Sequence, residues 1–171
     1  MGEVRQVSYF AAVLTRSADR WSGDEVDLDD CESLDDIADC LRDMRGDVRM
    51  MVIEEDDEYA AIVRLDSHDE EPRAFLSDGH AADRYAMAAL VAEDLAEVGA
   101  ADDDEDEIDD EDVPPTHDST PFGDIDIVDD LGTPAADLMG MCEHQGTLPV
   151  DLLLAVCEKA GGGETFEELR G

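Results

Sequence analysis

Basic residues are scarce in this chain. Eleven lysines and arginines stand against 49 aspartates and glutamates, a formal net charge of −38, and Lys159 is the single lysine. A chain so charged is repelled by phosphate backbones and anionic lipid, which argues against direct nucleic-acid or membrane-surface binding. A basic protein partner, in contrast, is drawn to it in a salt-dependent way. Aromatics are few, at 5%. Tyr9, Phe10, Trp21 and Phe75 lack the basic groove that a base-stacking platform needs, so they read as core residues. Long apolar runs are missing too: stretches such as residues 86–92 fall far short of the roughly 18–20 residues of a membrane-spanning helix. A signal peptide is not expected, since Glu3 spoils a basic start and the apolar residues from Val7 run straight into Arg16. The expected location is cytoplasmic, with the four cysteines as thiols.

Catalytic and cofactor signatures are also wanting. Zinc sites need closely spaced pairs of the Cys-x2–4-Cys kind, but Cys31 and Cys40 are nine apart, and Cys142-x-His144 is the only tight combination. Cys142 and Cys157 fall on apolar stripes, where a free cysteine behaves as a small hydrophobe. Dense negative charge opposes thiolate formation, so thiol catalysis gains no support. Neither the 102–112 nor the 124–130 acidic run supplies the glycine that an EF-hand loop requires. Gly161-Gly162-Gly163 lacks the lysine of a phosphate loop and reads as a helix stop. No catalytic, cofactor-binding or metal-ligating residue is nominated, no cofactor is expected, and the chain reads as a non-enzyme.

What is present is patterned hydrophobicity, 43% of the chain, enough for a core. Residues 7–15 and 20–28 suggest a hairpin across a turn at 17–19. Ser33 is a candidate N-cap with Asp36 completing a capping box, and Leu34, Ile37, Ala38, Leu41 and Met44 follow at helical spacing until Gly46. Residues 48–53 and 59–65 form the next strand pair, joined by the all-acidic connection 54–58. Tyr59, Ala61, Val63 and Leu65 alternate as in a half-buried strand. A short strand at 73–76 and a helix over 80–98, burying Tyr85, Ala88, Val91, Ala92 and Leu95, complete the order ββαβββα. This suggests an α+β fold: a mostly antiparallel sheet with two helices on one face.

Residues 102–112 are acidic everywhere except Ile108, and Pro114, Pro115 and Pro121 follow. Such a run repels itself and buries nothing, so the chain divides into an α+β domain at 1–100, a disordered acidic linker at 101–122 and a small all-helical domain at 123–171. In the last, Pro134, Ala135, Leu138, Met139 and Cys142 echo Pro149, Val150, Leu153, Leu154 and Cys157 fifteen residues later. Each set is the stripe of one buried helix face, which suggests an αα-hairpin closed by residues 125–131 and 166–169. Acids outnumber bases 27 to nine in residues 1–100, ten to none in 101–113 and 12 to two in 114–171. The acidity therefore belongs to the folded parts as well as the linker.

Several segments carry a family likeness: the opening Ser8-Tyr9-Phe10-Ala11-Ala12, Trp21, the helix start Ser33-Leu34-Asp35-Asp36 and the strand end Phe75-Leu76-Ser77-Asp78. After the acidic linker come Gly123-Asp124-Ile125-Asp126-Ile127, Asp130-Leu131-Gly132 and the tail through Cys142. Together they resemble the actinobacterial family of tRNA adenosine deaminase-associated proteins. The resemblance implies a non-catalytic accessory protein whose basic partner is a tRNA adenosine deaminase; it carries over no functional residues. The chain is not itself the deaminase, because His80 lacks a glutamate two residues on and no Cys-x-x-Cys follows. The charge alone also admits a nucleic-acid mimic or general regulator of another basic protein, or an acidic surface serving solubility or a salty cytoplasm.

Overall fold

Uninterrupted apolar runs at residues 9–14, 50–53 and 59–63 leave those segments no polar face, which demands cover on both sides of the sheet they form. The computed structural model describes residues 9–55, 57–68, 71–92, 121–143 and 148–170 and provides that cover. Its strands are β1 (Tyr9–Ser17), β2 (Arg20–Glu25), β3 (Val48–Glu55), β4 (Tyr59–Arg64), β5 (Arg73–Leu76) and β6 (Phe122–Gly123). They form one antiparallel sheet in the order β2-β1-β3-β4-β5-β6. The α+β class holds. Most of the acidic linker lies outside the described residues. Its last residue, Phe122, was not expected in a strand but opens β6 opposite Leu76, with Gly123 opposite Phe75.

Alternate residues of each strand feed two cores. One collects Ala11, Val13, Met51, Ile53, Tyr59, Ala61, Val63, Ala74 and Leu76. It is covered by α1 (Leu34–Arg42) and by α2, helical over residues 86–92. Ser33 caps α1 as read: its Oγ accepts from the Asp36 N–H at 3.2 Å. The Asp36 carboxylate answers on the Glu32 N–H at 2.8 Å, one residue further back than the usual box. Leu34, Ile37, Ala38 and Leu41 are buried. The chain enters α2 through a 3-10 turn, Gly79–Asp83, so the α-helix begins later than residue 80. Residues 93–98 lie outside the described set, while Ala88, Val91 and Ala92 are buried as expected.

The opposite face gathers Phe10, Ala12, Leu14, Val48, Met50, Val52, Ala60, Ile62 and Phe75. Because of this second core every residue of β4 is buried, and the half-buried reading of that strand is corrected. The cover comes from a 3-10 turn (Asp129–Leu131), α3 (Ala135–Glu143), α4 (Pro149–Ala160) and α5 (Gly163–Arg170). Three helical segments were legible in part, but the expected αα-hairpin is not how they pack. Leu138 and Cys142 of α3 join the sheet core, while α4 lies against β3, β4 and α5. The buried face of α4 is Pro149, Leu152, Leu153, Val156 and Cys157, rotated from the repeat-based stripe, which had Val150 and Leu154 inside. Helix α5 crosses β1 and β2; its Phe166 meets Phe10 edge-on at 5.8 Å between ring centres. Such a pair contributes about 0.5–1.5 kcal/mol beyond area burial.

The glycine triplet joins α4 to α5 and is more than a stop. Gly161 takes φ +98°, and its N–H and that of Gly162 bond back to the Glu158 and Cys157 carbonyls at 3.1 and 2.7 Å, a Schellman ending. Gly162 lies flat on the Trp21 ring, where an added Cβ would come within 2.9 Å of Cδ2. Trp21 donates from Nε1 to the Ala160 carbonyl at 3.2 Å, fastening β2 to the end of α4. Gly162→Ala is therefore expected to push the ring aside and cost about 1–3 kcal/mol by overpacking. Trp21 is the only tryptophan, so a shifted emission maximum together with a lower denaturant midpoint would report it; unchanged values of both would contradict the contact.

Candidate functional site

Strand alternation turns residue 64 of β4 toward the C-terminal helices, and the residue there is an arginine, 1% exposed. Its guanidinium has five N–H donors, and all five are used. Nε and Nη2 grip the two oxygens of Asp66 at 2.9 and 2.7 Å. Nη1 and Nη2 grip Asp130 at 2.8 and 2.9 Å, and the remaining Nη1 hydrogen goes to the Ile127 carbonyl at 2.7 Å. Burial alone would lower the Arg64 pKa, but the hydrogen bonds and charges of Asp130 and Asp66 outweigh it and raise the value. The Arg64 hydrogen bond in turn holds the Asp130 carboxyl below the ordinary carboxylate range, against burial. The group is a structural clamp between strand and C-terminal segment: two carboxylates share one guanidinium, and nothing in it is poised for proton transfer. Sequence reading missed it. The available signal was a single arginine at the end of an otherwise apolar strand.

Other basic side chains are also turned back on the chain. Arg42 pairs with Asp39 and Asp35, Arg73 with Asp124, Arg84 with Glu58 and Arg170 with Glu54. Arg49 donates to the Leu65, Met44 and Asp66 carbonyls at 2.9, 3.1 and 3.0 Å, tying the end of α1 to the turn after β4. Arg16 lies over Trp21, and Arg170 also lies over the Phe10 ring, with Cζ 5.8 and 5.2 Å from the ring centres. Eleven bases could not neutralise 49 acids in any arrangement, and this one spends arginines on internal contacts. Arg20, Arg45 and Lys159 are exposed, but the outward charge that remains is predominantly acidic. The segment leading into α1 and the outer side of that helix show it well, with Asp29, Asp30, Glu32, Asp35, Asp39 and Asp43 all exposed.

Of the residues weighed for chemistry, Cys142 and Cys157 are buried in the sheet core, and burial pushes the Cys157 thiol up to about 12. His144 lies outside the described residues. Phe10 and Phe75 are core residues, Trp21 packs under Gly162, and the Tyr9 hydroxyl accepts from the Leu28 N–H at 2.9 Å, so the four aromatics form no common platform. Among the described residues no three His, Cys, Asp or Glu side chains are grouped to hold a metal ion, and no helix is long and apolar enough to cross a membrane. Of the all-acidic connection 54–58, Glu54 and Glu55 belong to β3, and Glu54 is 6% exposed. It accepts from the Asp57 N–H at 2.9 Å and faces Arg170 at 3.6 Å. Burial nonetheless raises its pKa, since it outweighs both of those contacts.

Sheet, clamp and surface together define an acidic α+β protein whose ionic contacts serve its own packing. The start of β1, Trp21 of β2, the α1 cap, the end of β5 and the turn carrying Asp130 coincide with the segments that suggested a relationship from sequence. The chain belongs to the Rv3753c-like tRNA adenosine deaminase-associated protein family, whose model matches residues 9–163. Among curated proteins and among solved structures nothing matches.

Two substitutions test these electrostatics. Arg64→Met removes the clamp and leaves the Ile127 carbonyl and the Asp66 carboxylate without their donor, while the exposed Asp130 returns to water, at an expected cost of about 1–3 kcal/mol in urea unfolding. Arg64→Lys should rescue little, because one ammonium cannot reproduce a five-donor fork. Glu54 has the opposite sign. Its folded pKa lies above the unfolded one, so ionisation disfavours the fold as pH rises through the folded value. Glu54→Gln should therefore stabilise at pH 7, and the gain should disappear below the ordinary glutamate range of about 4.3. A loss of stability at pH 7 would show that the ion pair with Arg170 outweighs burial.

Proposed function

We propose that this protein is a non-catalytic accessory factor of a tRNA adenosine deaminase, acting in the cytoplasm by docking its acidic surface on the enzyme's basic, tRNA-facing surface. The observation that carries the reading is the outward excess of carboxylates left when the arginines are engaged internally. An enzyme that acts on tRNA must present cations to phosphate. A surface dense in carboxylates competes for the same cations, and long-range attraction raises association rates about 10- to 1000-fold at low ionic strength. The family description, deaminase-associated, supports that choice of partner. Nothing in the site suggests a reaction of the chain's own. The acidic run at 102–112 adds ten further carboxylates to the same reading.

Calorimetric titration of the purified deaminase into this protein tests it. Binding is expected at about 0.01 M salt and should weaken sharply by about 0.1 M, as the Debye length shrinks from about 30 to about 10 Å. Added tRNA should compete. Absence of binding at low salt would overturn the proposal. Equal binding to unrelated basic proteins would favour a general nucleic-acid mimic instead.

A further inference from the structure

We propose that the outer edge of β2 is a docking strip for an extended, basic segment of a partner protein, which adds to the sheet as a further strand beside Trp21, Gly23 and Glu25; it stands independently of the deaminase reading. β2 ends the sheet order, and among the described residues no strand lies on its outer side. The Val26 N–H bonds to the Ala11 carbonyl at 2.9 Å, and from there the register with β1 runs without a bulge to Ser17 opposite Arg20. Main-chain pairing alternates along an antiparallel strand, so Arg20, Ser22 and Asp24 face β1, while Trp21, Gly23 and Glu25 turn their N–H and C=O groups outward. Among the described residues none of those outward groups has a hydrogen-bond partner. Proteins commonly close such an edge with a proline, a lysine, a bulge or a very short strand. β2 has six residues and neither proline nor lysine, and what guards it is charge mainly of one sign.

That charge decides the occupant. Asp24 and Glu25 are exposed, and strand alternation sends their side chains to opposite faces. On the Glu25 face, Thr165 and Leu169 of α5 close over Gly23, and Phe166 turns inward to Phe10. Helical spacing then puts the exposed Glu164 and Glu168 on the flank of α5 beyond Gly23, over the open edge. Arg20, beside the hairpin turn, is the one base on the strand. A second copy pairing edge to edge would bring two such sets of carboxylates together, and like charges opposite one another across strands are destabilising. Lysine and arginine side chains of an incoming strand meet the opposite situation: alternating to its two faces, they reach Asp24 on one and Glu25 and Glu168 on the other. In this mode of recognition the main-chain bonds give affinity and the flanking side chains give selectivity.

The probe is the capped peptide Arg-Val-Arg-Arg-Val-Arg, added to the intact protein at low salt while amide hydrogen exchange is followed residue by residue by NMR. In the free protein the Trp21, Gly23 and Glu25 amides should exchange readily, and those of Ser22 and Asp24 slowly. Peptide should slow the first three about tenfold at a free concentration about ten times its Kd. The same peptide N-methylated at every residue keeps its charge but has no backbone N–H, and should leave those amides unprotected. Glu164→Gln combined with Glu168→Gln should weaken binding about twofold or more without changing which amides are protected. Protection of the three amides before peptide is added would mean that the chain itself or a second copy already occupies the edge, and would overturn the proposal. Binding that leaves them unprotected, equal binding of the N-methylated peptide, or no binding would overturn it too. An affinity unchanged by the two glutamines would overturn the choice of a basic occupant.

Discussion

A guanidinium buried in an inner strand keeps its charge only when every N–H has an acceptor and nearby carboxylates balance it, since an unpaired buried charge costs several kcal/mol. Arg64 meets that condition with Asp66, Asp130 and the Ile127 carbonyl. Two of those three acceptors belong to the segment that follows the acidic run. That segment cannot leave β4 without exposing a charged fork to an apolar face, and the helices beyond it are placed by the same contact. The second core depends on this geometry: Ile127, Val128 and Leu131 enter it on either side of the clamp.

The same principle reconciles the net charge with a packed interior. Forty-nine carboxylates repel one another, and the cost is lowest where solvent and salt can screen them. Among the described residues Glu54 is the one buried carboxylate, and it contrasts with the more exposed clamp partners of Arg64. Glu54 has an arginine opposite it yet still titrates high, because one exposed-side cation at 3.6 Å does not replace water. Asp130 titrates low because two short bonds from a buried fork do. Arginine in this chain is mainly a packing and cross-linking residue, and that is what leaves the surface to its carboxylates.

A polar interaction also fastens the sheet edge. Trp21 on β2 carries an indole N–H to the end of α4 and a ring face to Gly162, while Gly23 admits Leu169 and Thr165 from α5. Helix α5 is short, and much of its anchorage comes from Phe166 against Phe10 and from these two glycine-lined approaches. The edge strand is thus shielded on one face by a helix that also packs against α4.

Local chemistry determined much of this protein. Ser33 and Asp36 define the start of α1, alternation and turn residues define β1 to β5, and the proline and glycine positions delimit α4, because each depends on neighbours within a turn or two. The acidity is a property of composition. Whether a strand is covered on one face or two is a different kind of fact. The apolar residues Ala60 and Ile62 between Tyr59, Ala61 and Val63 carried that signal, but a period-two pattern of the other face was equally visible and masked it. The rotation of α4, the role of Arg64 and the strand begun by Phe122 all depend on partners distant in the chain or on how a segment folds back. Only tertiary structure decided them, because burial and ion pairing are set by what lies opposite a residue, and sequence order does not state that.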